Sequence, residues 1–240
     1  MNELELAPMV DWNAYAQQYD MLLAYNPYYQ STFKDILSEI QNWEITPGSK
    51  LADLGAGTGN YSVELAKHFP QALVLHIDSN KNMNAMAAKK AAGLTNLEIW
   101  NQPIEDTQFK AGSLQGLLCL NALYTFPNPL RVLEQMHDWL SPGSPVVFLD
   151  PGRVLNVFSW RMAIGWHLIS QYGFAQTLKI FKHAKVVGKQ NAYIRQMQQS
   201  GKYWTHSHQE FCQAIEKAGF TIEKASICFR GDCDLVFARR

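Results

Sequence analysis

Asp53 and the alternate glycines Gly55, Gly57 and Gly59 stand together in LADLGAGTGN, residues 51–60. Glycine lets a backbone turn tightly and lets a ligand come close to it, so the stretch reads as a binding loop. What the loop lacks narrows the ligand. A mononucleotide P-loop needs GxxxxGK[ST], and no lysine stands at the required place. A dinucleotide fingerprint needs GxGxxG, and Asn60 fills its third glycine position. A pyrophosphate would also lie near Asp53, whose carboxylate would repel it. An acid two residues before the first glycine suits a ligand with a positive group. A plain glycine turn is the alternative for the loop taken alone.

S-adenosylmethionine carries an ammonium and a sulfonium and no phosphate, and DxGxGxG suits it. Asp78 ends the apolar run ALVLHID. An acid there can accept hydrogen bonds from both hydroxyls of a ribose. NAD enzymes use the same device, so Asp78 discriminates only through the first loop. Asp78 can also cap the next helix, a task open equally to Ser79 or Asn80.

The elements that must hold these residues follow from hydrophobic periodicity. Residues 11–20 and 31–43 read as helices. A rhythm then begins: SKLADLG as strand, GNYSVELAKHF as helix, ALVLHID as strand, NKNMNAMAAKKAA as helix, LEIWNQ as strand. QGLLCLNALY is a nearly unbroken apolar run of the kind buried on both faces of a sheet. PLRVLEQMHDWL is an amphipathic helix that stops at Ser141-Pro142-Gly143, and SPVVFLD is another buried strand. Such alternation implies a parallel, doubly wound α/β sheet. SHQEFCQAIEKAGF is a helix with Ser207 as N-cap and Glu210 completing a capping box. FTIEKASICF and CDLVFARR, joined by Arg230-Gly231-Asp232, read as an antiparallel hairpin. Residues 151 to about 205 exceed an ordinary connection and read as a mostly helical insertion.

The chain now resembles a class I S-adenosylmethionine-dependent methyltransferase over residues 49–150 and 207–240. LADLGAGTGNYS is similar to that family's first motif and LHIDSNKNM to its second. NQPIEDTQF resembles the stretch usually written GDAEDLPF, GLLCLNALYTF the fourth motif, and LSPGSPVVFLD the family's LKPGG-strand motif. Two departures stand out: Gln102 replaces the acid that binds adenine, and Gly116 replaces the usual acid of the fourth motif. AQQYDML is similar to the AxxYDxM segment of quinone-methylating and phospholipid N-methylating members. The resemblance implies a Rossmann-like, seven-stranded, mostly parallel sheet with an antiparallel C-terminal hairpin. It implies one domain over 1–240, with a helical cap at 1–45 and a helical lid at 151–205. It assigns S-adenosylmethionine, leaving as S-adenosylhomocysteine, to Tyr19, Asp53, Gly55, Gly57, Asn60, Asp78, Ser79, Met83, Gln102, Pro103, Ile104 and Asn121.

The acceptor must be decided by the insertion, because function lives in sites grafted onto folds. From Arg153 to Lys202 there are eight basic residues and no Asp or Glu. Aromatic residues run through the same span. Together they suit a lid over a flat or anionic small molecule, and equally an amphipathic helix at an anionic membrane surface. A lid with its own small aromatic core and solvated lysines is the bland alternative. Tyr15, one turn before Tyr19, joins Trp166, Tyr203 and His206 as candidate acceptor contacts. His167 is the first candidate general base and Tyr124 the second; His206 and His208 are further candidates. NALY, residues 121–124, lacks both prolines of the [ND]PP[YF] motif found in amino-methylating nucleic-acid enzymes, so nucleic acid is not the expected partner.

Bulk composition agrees. The 240 residues are 47% hydrophobic and 18% charged, with twenty-one basic and twenty-one acidic residues. That fits an ordered domain and gives no general argument for a polyanion partner. Four scattered cysteines read as reduced thiols. MNELELAP is acidic and lacks the features of a signal peptide, and no run of about 18 apolar residues suggests a membrane span. The expected compartment is the cytoplasm, and no metal is expected. A cofactor-binding protein without methyl transfer is the contrasting hypothesis.

Overall fold

The computed structural model describes residues 12–240; MNELELAP and the first part of the expected N-terminal cap lie outside the described residues. Seven strands form the sheet: β1 Lys50–Leu54, β2 Leu73–Asp78, β3 Leu97–Asn101, β4 Gly116–Leu120, β5 Pro145–Asp150, β6 Thr221–Cys228 and β7 Cys233–Arg239. Their order is β3-β2-β1-β4-β5-β7-β6. The first five run parallel, and β7 pairs antiparallel with both β5 and β6. This is the Rossmann-like mixed sheet expected from the sequence.

Strand alternation builds two cores. Ala52, Leu54, Leu117 and Cys119 face α5 (Pro129–Trp139) and α8 (His208–Lys217) on one side. Leu51, Leu118 and Leu120 face α2 (Pro27–Ile40) and α3 (Asn60–His68) on the other. Near-continuous apolar strands are therefore required, since both faces are covered. Gly116 is explained by the second layer: a Cβ there would lie 2.8 Å from Cζ3 of Trp43. The missing side chain admits the indole. The capping box of α8 is formed as expected, with Ser207 and Glu210 satisfying each other's backbone N–H groups.

Two expectations shift at their boundaries. The run QGLLCLNALY is strand only to Leu120; Asn121 takes a left-handed φ of 55° and a short turn, Leu123–Thr125, follows. Helix α1 extends over Trp12–Tyr25, longer than its periodicity implied.

Between β5 and α8 the chain forms α6 (Val157–His183) and α7 (Lys185–Gln199). Helix α6 is bent at Gly173, which has φ 75° and ψ 167°. The two roots of this insertion are tied together beneath it. His206 Nε2 meets Asp150 at 3.2 Å and its Nδ1 meets Asp234 at 3.4 Å. Arg153 donates to Asp234 as well, and His208 Nδ1 lies 2.8 Å from it. A Cβ on Gly152 would lie 2.4 Å from the His206 ring, so glycine lets the roots touch. Gln198 adds a third tie: its amide donates to the Arg153 carbonyl at 3.0 Å and accepts from Leu155 N–H at 3.0 Å.

Candidate functional site

Strand order reverses between β1 and β4, and the loops leaving these two strands flank a crevice at the carboxyl edge of the sheet. Its walls come from five places. Gly55 and Gly57 follow β1; Asp78, Ser79 and Asn80 follow β2; Gln102, Pro103 and Ile104 follow β3; Asn121, Ala122, Thr125 and Phe126 follow β4; Tyr19 of α1 forms a further wall. Met83 of α4 (Lys81–Lys90) completes it. The cleft has a volume of about 220 Å³.

The glycines do different work. Gly55 has φ 66°, and a Cβ on it would lie 2.3 Å from the Cβ of Ala122. It lets the first loop pack against the loop after β4. Gly57 has φ 56°, and its absent Cβ would point into space with no atom within 4 Å. That bare backbone is what a close-lying ligand needs. Gly55→Ala is therefore expected to lower stability by about 2–4 kcal/mol through left-handed strain and overpacking, measured by denaturant unfolding.

Asp78 links the loop to the next helix. Its Oδ2 accepts from Gly57 N–H at 2.8 Å and its Oδ1 from Asn80 N–H at 2.8 Å. Burial raises its pKa, and these two N–H groups work against that rise. Asn80 is the N-cap of α4, its side chain accepting from Asn82 and Met83 N–H groups at 3.0 Å. The cap role is thus taken, which leaves Asp78 to face the cleft.

Asp53 and Asn60 stand away from the cleft lining. Asp53 is buried behind the loop, where its Oδ2 accepts from Ser62 Oγ at 2.6 Å. Burial pushes its pKa up to about 7, helped by the charge on Asp78 and opposed by Ser62. The chain of bonds continues from Ser62 to His76 at 2.9 Å and from His76 to Asn84 at 3.0 Å. Burial drives His76 down to about 4, so it is neutral. Asp53 therefore braces β1, α3 and β2 beneath the loop and makes no direct wall for a cation.

Asn60 belongs to a clamp that holds α1 down. Asp20 Oδ1 accepts from Lys90 Nζ at 2.7 Å and from Thr58 Oγ1 at 2.7 Å. Lys90 Nζ also donates to Asn60 Oδ1 at 2.6 Å. Tyr19, next to Asp20, is thereby set over the cleft, with its ring edge-on to Tyr15 at 5.4 Å and to Tyr29 at 6.4 Å.

A second cavity of about 160 Å³ shares Tyr19 and Asn121 with the first. Tyr15, Tyr124, Leu155, Trp160 and Asp232 also line it. Burial holds the phenols of Tyr15, Tyr19 and Tyr124 well above 10. Tyr124 is thus a neutral hydrogen-bonding group and not a phenolate base. Tyr203 packs edge-on against it at 5.2 Å, behind the cavity wall. Asp232 supplies the one carboxylate among the described lining residues. Its Oδ2 accepts from Trp160 Nε1. Because β7 runs antiparallel, the β6–β7 turn that carries Asp232 lies at the same edge where the parallel strands end.

The structure does not bring His167, Trp166 or His206 to either cavity. His167 and Trp166 sit on α6, with Trp166 78% exposed. His206 is occupied by Asp150 and Asp234. Burial would lower its pKa, but the hydrogen bonds it donates to both carboxylates, and their charges, outweigh this and push it up to about 9. It is a charged structural group and is closed to an acceptor. Asp232 escaped notice because a turn acid carries no local mark; only the strand order delivers it to the site.

A third cavity, about 480 Å³ and mostly apolar, lies between α1, α6 and α7 and shares Leu22, Asn26, Trp160 and Asn191 with the second.

Residues 51–143 match the model of a family described as a methyltransferase domain. A trans-aconitate 2-methyltransferase from Deinococcus radiodurans is 35% identical over 107 residues, 45% of this chain and 40% of that protein. The match thus spans well under half of that relative's length. A demethylmenaquinone methyltransferase from Staphylococcus aureus is 26% identical over 178 residues, 73% of this chain and 69% of that protein. A magnesium protoporphyrin IX methyltransferase from Synechocystis, solved with S-adenosylhomocysteine bound, superposes with a TM-score of 0.62 at 15% identity, covering 93% of each chain. The fold and the domain match agree with the family suggested by the sequence motifs.

Proposed function

We propose that this chain is a class I S-adenosylmethionine-dependent methyltransferase whose first cavity holds the donor and whose second holds the reacting end of a small-molecule acceptor in the cytoplasm. The observation that carries this is the shared wall: Tyr19 and Asn121 line both cavities. S-adenosylmethionine supplies a methyl carbon activated by its sulfonium. The residues fit that donor. Asp78 meets the ribose hydroxyls, the bare backbone of Gly57 accepts close contact, and Ile104 and Met83 flank an adenine whose edge Gln102 can hydrogen-bond. The chain's remaining task is positioning and desolvation, which supply much of the barrier reduction in a displacement between held partners. Tyr19 excludes water from above. Asn121 has its backbone locked by Leu149 O at 2.6 Å, which aims its amide at the junction.

Asp232 takes the proton when the acceptor must lose one. One of its oxygens is fixed by Trp160, which leaves the other toward the cavity. Asp232→Asn keeps an acceptor for Trp160 and removes the base. It is expected to lower kcat by about a hundredfold with donor affinity little changed. The experiment is transfer of labelled methyl from S-adenosylmethionine into carboxylic acids, phenols and quinols, followed by the kinetics of this variant. Tight donor binding with no labelled product from any class would favour a binding protein without transfer.

A second reading rests on the large apolar cavity. It continues from the acceptor cavity past Trp160, so an acceptor with a long apolar tail, such as a lipid or quinone, would find room there. A relative named for trans-aconitate and one named for demethylmenaquinone are each in keeping with one of these kinds of acceptor.

A further inference from the structure

Helix α6 is apolar on two faces. Trp160, Ile164 and Leu168 point inward and line the large cavity. On the outer side Phe158, Met162, Trp166 and Ile169 follow at four- and three-residue steps, the spacing of one helical stripe. All four are exposed, Phe158 by 73%. Past the bend at Gly173 the stripe resumes with Phe174 and Leu178, one turn apart and exposed. A helix that is apolar on opposite sides is built to be covered on both. A contiguous exposed row of this kind marks an interaction site.

The charges select the cover. Lys179 and Lys182 are exposed on the same half of α6 as Phe174 and Leu178, and Arg161, Lys185 and Lys189 are exposed at the rim of the large cavity. None of them makes an ion pair among the described residues. No Asp or Glu occurs between Asp150 and Glu210. A second copy of the chain would bring like charge against like charge. Large aromatic and aliphatic side chains flanked by lysines, on a segment without acids, match a surface that is anionic outside and apolar just below. We propose that the outer face of α6 docks on an anionic lipid bilayer, with Phe158 and Trp166 entering the interface. No described helix is long and apolar enough to cross a membrane, so the contact is peripheral. It does not depend on which acceptor is methylated.

The test is co-sedimentation of the full chain with phosphatidylcholine vesicles, with and without phosphatidylglycerol. Binding is expected to the anionic vesicles and to fall steeply at high salt. Phe158→Ser combined with Trp166→Ser is expected to weaken partitioning by about tenfold or more, while calorimetric affinity for S-adenosylmethionine is unchanged. Lys179→Glu with Lys182→Glu should weaken it too, and serves if the first variant folds poorly. Three results would overturn the proposal: no binding of the wild type to anionic vesicles, equal binding to neutral ones, or a double variant that binds as well as wild type. Sedimentation velocity adds a fourth: an oligomer that the serine substitutions dissociate would make the stripe a self-interface.

Discussion

Asp78→Ala is expected to weaken S-adenosylmethionine binding by about a thousandfold. Two charged hydrogen bonds to the ribose, at about 1.5–3 kcal/mol each, account for that scale. The carboxylate also serves two masters in the ligand-free fold, holding Gly57 N–H and Asn80 N–H at 2.8 Å each. Removing it therefore loosens the loop that must cradle the donor. Asp78→Asn should recover little. Its amide offers one oxygen where two N–H donors wait, so its NH₂ would confront one of them. The measurement is calorimetric titration of both variants and wild type with S-adenosylmethionine and, separately, NAD. Donor binding by wild type alone, with no NAD binding, is the expected pattern. NAD binding in its place would remove the methyltransferase reading.

Asp234→Ala is the second large effect, and it concerns stability. The side chain is fully buried and meets His206, Arg153 and His208. Burial would raise its pKa, but these three partners hold it below the usual carboxylate range. Removing it strands charge at the roots of the insertion. Breaking a buried pair in this way costs about 3–5 kcal/mol, which for a chain of this size lowers Tm by about 10 °C. The pH dependence carries a signature. His206 sits at about 9 in the fold against an ordinary 6.5. Its stabilisation is complete below 6.5 and is lost as pH rises through about 9. Wild-type stability should decline over that window, and the decline should flatten in Asp234→Ala and in His206→Gln. A slope unchanged by either substitution would refute the assignment.

The sheet was readable because its signal is local. Apolar runs of strand length alternate with helical spacing, and Ser207 with Glu210 announces a helix start within four residues. The first cavity was readable for a related reason: most of its walls follow directly on a strand, so the edge of the sheet gathers Gly57, Asp78, Gln102 and Asn121 automatically. Asp53 shows the limit of that logic. It shares the motif, but its strand position turns the carboxylate away from the cleft toward Ser62. The acceptor side was harder to read. His206 looked available because its partners, Asp150 and Asp234, lie 56 and 28 residues away along the chain. His167 looked central because the bend and pairing of α6 with α7 are tertiary facts. Asp232 was legible only as a turn residue, and the order β5-β7-β6 was needed to place it at the second cavity. Gly116, which departs from the family's fourth motif, makes room for Trp43, a partner far from it in sequence.

The clamp over the first cavity has a kinetic consequence. Tyr19 forms a wall of the first cavity, proposed to hold the donor, and Asp20, one residue on, is bound to Lys90 and Thr58. A nucleoside as large as the donor must arrive before this bolt is drawn, and the spent one must wait until it is released. Turnover should then be compulsory-order, with the donor first and its demethylated product last. The bolt is a partly exposed ion pair, its side chains 27% and 32% accessible, so water can replace its bonds at less cost than for a fully buried pair. The same contact that enforces the sequence of events is weak enough to let the cycle reset.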